Sequence, residues 1–204
     1  MSGTDPARAL LDAIIDFYGS EGRAGDRSAR PMLDGVCAAL TRATPFVPAA
    51  PPHAIPASAL LASALRGRSL AGHIEQAAPL FRWRQNPNYT VANMGAAFMT
   101  GYGYVEFAGP KEALFQAPDI RVGLLLLGPQ LHYPPHAHPA EEIYHPLTDG
   151  GLWRRAEEDW RAVVAGHAIH HAPMVPHETK ATNRTLLALY CWRGDTATEA
   201  ALTT

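Results

Sequence analysis

The sequence predicts an α+β protein, helical in its first half and antiparallel β, as a sandwich or small barrel, in its second. Apolar residues recur at helical spacing as far as Ala78. Beyond residue 100, short apolar runs alternate with clusters of Gly, Pro, Asn and Asp. The 17 glycines and 18 prolines among 204 residues favour short elements over long helices.

Asp5-Pro6 reads as an N-cap with proline at the first helical position. Leu10, Leu11, Ile14, Ile15 and Tyr18 follow on one face, and Gly19 to Gly22 ends the run. A second helix carries Leu33, Val36, Cys37 and Leu40. Pro45, Pro48, Pro51, Pro52 and Pro56 then force an extended connector. Leu60, Leu61, Ala64 and Leu65 predict a third helix stopped at Gly67, and Leu70–Ala78 a fourth. Strands are expected around Tyr102–Phe107, Ile120–Leu127, Leu152–Arg155 and Thr185–Trp192. The division falls near residue 100: 1–100 a helical region with a Pro-rich connector, 101–204 the β-domain.

Composition removes several function classes. The formal net charge is −2, with no basic excess for nucleic acid. The longest apolar run, Leu186–Trp192, is far short of the ~20 residues of a membrane span. The N-terminus lacks the pattern of a signal peptide, and Cys37 and Cys191 read as reduced thiols. A cytoplasmic protein, monomer or homodimer, is expected.

The chemistry concentrates in one window. Eight of the ten histidines lie between His132 and His177. In an extended segment, side chains alternate, so His136, His138, Glu142 and Tyr144 share a face, with small Ala140 between them. Pro139 limits that argument to each half of the segment. Glu141, Ile143 and His145 point the other way; Glu141 is the rival carboxylate. Two imidazoles and a carboxylate suit Zn, Fe, Mn, Co or Ni. His177, after Pro176 and before a strand, is the best candidate for a fourth ligand. His132, His145, His167, His170 and His171 read as rim, structural or supporting residues.

The pattern His136, His138, Glu142, then Gly150, Pro176-His177 and Asn183, resembles the two signature motifs of the cupin superfamily, although Gly150 and Asn183 stand late. The resemblance implies an antiparallel double-stranded β-helix with the helical region packed on it. The stretch Tyr133–Tyr144, with Trp153 and Leu186–Asp195, is similar to the cupin-type dimethylsulfoniopropionate (DMSP) lyases of marine bacteria. These split DMSP into dimethyl sulfide and acrylate. That implies a metal held by His136, His138, Glu142 and His177. It also implies Tyr144 as the base that takes the α-proton, with Tyr133 and Trp192 lining the substrate pocket. The substrate chemistry agrees. A metal binds the carboxylate, one base suffices because neutral dimethyl sulfide leaves without acid, and a sulfonium suits aromatic faces, Trp153 and Tyr190 included. Two other readings remain: another metal-dependent cupin enzyme, such as a dioxygenase or isomerase, and a non-catalytic small-molecule sensor.

Overall fold

The computed structural model describes residues 5–203. Helix α1, Pro6–Gly19, starts where Asp5 accepts from Ala7 N at 3.0 Å, and buries Leu10, Leu11, Ile14, Phe17 and Tyr18. Helix α2, Arg30–Arg42, buries Met32, Leu33, Val36 and Leu40. The proline connector follows and contributes one short strand, β1, Thr44–Pro45. Helices α3, Leu61–Leu65, and α4, Ala71–Ala77, lie where the sequence places them. Two unexpected helices precede the sheets: α5, Val91–Met94, with a Thr90/Asn93 capping box, and α6, Ala96–Gly101. Such short elements give no helical periodicity to read.

The strands come in rapid succession: β2 Tyr102–Gly109, β3 Phe115–Gln116, β4 Ile120–Leu127 and β5 His132–Ala137. Next are β6 Glu141–Pro146, β7 Gly151–Arg155, β8 Arg161–Ala162 and β9 Ile169–His171. The chain ends with β10 His177–Ala181, β11 Leu186–Arg193 and β12 Ala201–Leu202. They form two sheets, ordered β1-β3-β2-β4-β11-β6-β9 and β12-β5-β10-β7-β8. All pairings except β2–β3 are antiparallel. The chain passes repeatedly from one sheet to the other, the path of a double-stranded β-helix; the two sheets face each other without joining into one closed sheet.

Strand alternation sorts the side chains into two cores. Val105, Phe107, Val122, Leu124, Leu126, Ile143, Leu187, Leu189 and Cys191 face outward and pack with α1 to α4. Tyr102, Tyr104, Leu125, Leu127, Tyr144, Trp153, Tyr190 and Trp192 face the space between the sheets. With both faces buried, β11 reads as an unbroken apolar run. Gly123 is required inside: a Cβ there would stand 2.8 Å from the Tyr190 ring and 2.1 Å from Val105 O. Among the described residues no helix is long and apolar enough to cross a membrane.

Candidate active site

The segment 132–146 is not one extended strand. It turns at Pro139, so that β5 lies in the smaller sheet and β6 in the larger. Each half keeps its own alternation. His136, His138, Glu142 and Tyr144 therefore still face the interior, from two opposed sheets, and all four are buried. β10 pairs with β5 so that His177 stands opposite His136.

His138, Glu142 and His177 offer donor atoms that all lie within 4.8 Å of one another. His138 Nε2 is 3.0 Å and His177 Nε2 3.1 Å from Glu142 Oε2. Two donors on one cation at ~2.0–2.1 Å are roughly 3 Å apart, so this spacing fits ligands of a shared ion. His136 stands beside the group, its ring centroid 4.2 Å from that of His177.

The outer nitrogens decide how these rings present themselves. Nδ1 of His136, His138 and His177 donates to the carbonyls of Pro134, Ala140 and Val175 at 2.8, 3.0 and 3.0 Å. Each ring thus turns Nε2 inward. His177 Nε2 is buried without a hydrogen-bond partner. Lone pairs turned toward a buried carboxylate call for positive charge between them, either protons or a metal ion. Burial alone would raise the Glu142 carboxyl. The His138 imidazole, with the His171 and His177 rings beside it, outweighs burial and holds the group well below the usual range. Burial pushes His136 well below an ordinary imidazole, with His177 adding to the effect.

Glu141 points away, to His170 Nε2 at 2.9 Å, which leaves Glu142 as the interior carboxylate. His171 is fully buried, with Nδ1 3.4 Å from Glu142 Oε2. Its Nε2 accepts from Trp153 Nε1 at 3.1 Å, so the proton of the neutral ring sits on Nδ1 and faces Glu142. His171 is a support for the carboxylate. His145 lies on the outer face of β6 but under α1, donating from Nε2 to Gly22 O at 2.8 Å; it is interior, and no rim residue. His132, on the surface, bonds Glu178 at 2.5 Å.

A pocket opens beside Glu142. Tyr102, Tyr104, Tyr133, Tyr144, Tyr190 and Trp192 supply its aromatic wall, and Asn86, Arg121, Leu125, Glu199 and Ala200 the remainder. Tyr133 stacks on His136, centroids 3.8 Å apart and planes 7° apart, and its hydroxyl meets that of Tyr89 at 3.0 Å. Trp192 donates from Nε1 to Glu142 Oε1 at 2.5 Å. His138 stacks on its ring at 4.0 Å, and the Arg121 guanidinium lies 5.3 Å from the ring centroid. The indole face is thus shared with the protein's own groups. Tyr144 packs on Trp153 at 4.6 Å; burial first, then the Glu142 charge, keeps its phenol well above the usual value.

Sequence reasoning did not single out Tyr102, Tyr104, Arg121, Glu199 or Asn86. Tyr102 and Tyr104 were within reach, because a period of two on a predicted strand puts both on one face. Arg121 and Glu199 carry no local signal; only the fold brings them to the cavity.

The family model for dimethylsulfoniopropionate lyase matches residues 34–188. The chain belongs to the DMSP lyase family. Dimethylsulfoniopropionate lyase DddQ of Ruegeria pomeroyi is 29% identical over 213 residues, covering 100% of this chain and 97% of that protein. The crystal structure of DMSP lyase DddQ from Ruegeria pomeroyi DSS-3 superposes with a TM-score of 0.76 at 27% identity, covering 98% of both chains. A chain from the crystal structures of the DMSP lyases RdDddP and RnDddQII gives a TM-score of 0.74 at 24% identity, over 97% of this chain and 100% of that one. That last likeness speaks for the fold alone.

Proposed function

We propose that this chain is a metal-dependent lyase that cleaves DMSP to dimethyl sulfide and acrylate by β-elimination. One observation carries the metal part: three interior imidazoles have their outer nitrogens tied to carbonyls, and two of the inner nitrogens converge on Glu142 Oε2. His136, His138, Glu142 and His177 would hold one transition-metal ion; nitrogen and oxygen donors suit Zn, Fe, Mn, Co or Ni. Bound there, the ion would supply positive charge that polarises the substrate carboxylate and favours the Tyr144 phenolate.

The chain's own groups do the rest. Tyr144 shares the inner face of β6 with Glu142, two residues along the strand. Its phenolate takes the α-proton. The C–H electrons become the Cα=Cβ bond, the Cβ–S bond breaks, and its electron pair leaves on sulfur as neutral dimethyl sulfide. The proton rests on the Tyr144 oxygen until it returns to water. Tyr104 and Tyr190, edge to face at 6.3 Å, line the cavity and offer π-surface to the sulfonium. Tyr133 holds His136 by stacking, and Trp192 holds Glu142 by its N–H. The free thiols Cys37 and Cys191 support a cytoplasmic location.

The reaction needs no oxygen, which separates it from a dioxygenase. Purified protein with DMSP in a sealed anaerobic vial should release dimethyl sulfide, and chelation should stop the release. No dimethyl sulfide from the metal-loaded protein would refute the lyase reading.

A further inference from the structure

The wall of the cavity two strands away from Glu142 holds a charged group that the chemistry above leaves unused. Arg121 lies on the inner face of β4. β11 pairs Trp192 with Glu142 on one side and with Arg121 on the other, so two strand spacings, ~10 Å, separate Glu142 from Arg121. Extended DMSP spans about one such spacing from carboxylate to sulfur. With its carboxylate at the His/Glu cluster, its sulfonium comes to lie over the Tyr190–Trp192 stretch and faces Arg121. A bare guanidinium there would repel it.

The fold does not leave that guanidinium bare. Arg121 Nη1 donates to Glu199 Oε1 at 2.8 Å and lies 3.5 Å from Glu106 Oε1. Glu106 sits behind, where Arg84 also bears on it; Glu199 lines the cavity. Among the described residues Arg121 Nε is buried with no hydrogen-bond partner, so the two carboxylates at Nη1 are what offset this buried positive group. Glu199 arrives on the last stretch of the chain, a strap held at several points. Ala200 O accepts from Asn86 at 2.9 Å and Asn88 at 3.0 Å. Ala201 and Leu202 pair with Ala137 and His136, on the strand that carries the cluster.

We propose that Glu199 is a specificity-determining residue: it masks Arg121, so that the far wall accepts an onium cation and disfavours a second carboxylate. This rests on the lyase reading above. The test compares Glu199→Gln with the metal-loaded wild type, using three molecules that share the carboxylate end. DMSP carries the cation, 4-methylpentanoate is its uncharged carbon isostere, and glutarate is a dianion. The expected result is a KM for DMSP raised about tenfold with kcat little changed. Inhibition by 4-methylpentanoate should stay the same, and inhibition by glutarate should tighten. Asn88→Ala loosens the strap without touching a charge and should not reproduce that split. Equal shifts for DMSP and 4-methylpentanoate in Glu199→Gln, or no shift in either, would overturn the proposal. Isothermal titration of the three ligands into metal-loaded Tyr144→Phe, with and without Glu199→Gln, reads the same preference without turnover. A failure of the lyase chemistry is thereby distinguished from a failure at Glu199.

Discussion

Trp192 holds Glu142 through its indole N–H while His138 lies against its ring, so one side chain orients two of the proposed ligands. Trp192→Phe keeps an aromatic ring and deletes the donor. The abandoned Oε1 is buried, which costs ~1–3 kcal/mol, and loss of such a support lowers metal affinity ~10–100-fold. Competition against a chromogenic chelator measures this; unchanged affinity would show the bond to be idle. The proposed ligands give a plainer outcome. His138→Ala and His177→Ala should each lose most of the metal by elemental analysis, and full occupancy in either would remove that residue from the set. At this scale the sequence was most informative where spacing is local, as in His136, His138, Glu142 and Tyr144. The bond from Trp192 to Glu142 depends on the β6–β11 register and could not be read from spacing.

Strand β6 shows how one element serves two environments. Glu142 and Tyr144 face the cavity, while Ile143 and His145 face α1. Phe17 and Tyr18 enclose His145 with ring centroids at 5.3 and 5.2 Å, and burial pushes its pKa down to about 4. An unfolded imidazole titrates near ~6.5. Between those values the unfolded chain binds a proton that the folded chain refuses. Stability therefore falls as pH drops from ~6.5 toward about 4 and levels off below, by ~3 kcal/mol for this group. Chemical denaturation at pH 7 and pH 4.5 should show His145→Gln losing less stability over that range than the wild type. An identical loss would mean that His145 titrates normally. The inward and outward pattern of β6 was legible, because strand alternation is local. That the outward face would be buried was not, because it takes α1, from the far end of the sequence, to cover it. The corner at Pro139 was legible only as a doubt about alternation, yet it is what sends β5 and β6 to opposite sheets.

Across the whole molecule, helices α1 to α4 and the outer face of the larger sheet share one apolar core, and the interior aromatic cluster forms a second. The α+β class and the main helices and strands were legible from periodicity. The strap bearing Glu199 was not, since two paired residues, Ala201 and Leu202, leave no pattern. The proposed ligands come from β5, the turn after it, β6 and β10, and so tie the two sheets together. A ligand at 100 times its Kd adds ~2.7 kcal/mol, which in a chain of this size shifts melting by roughly 5–10 °C. Removing the metal should lower Tm by that amount, and re-addition should restore it. The central claim joins this site to one base, Tyr144, and is tested by measuring metal content and dimethyl sulfide release on the same sample of Tyr144→Phe. The account predicts wild-type metal content with turnover reduced at least ~100-fold, the lower end of what general-base catalysis contributes; a fully metallated variant that turns DMSP over at close to the wild-type rate would contradict it.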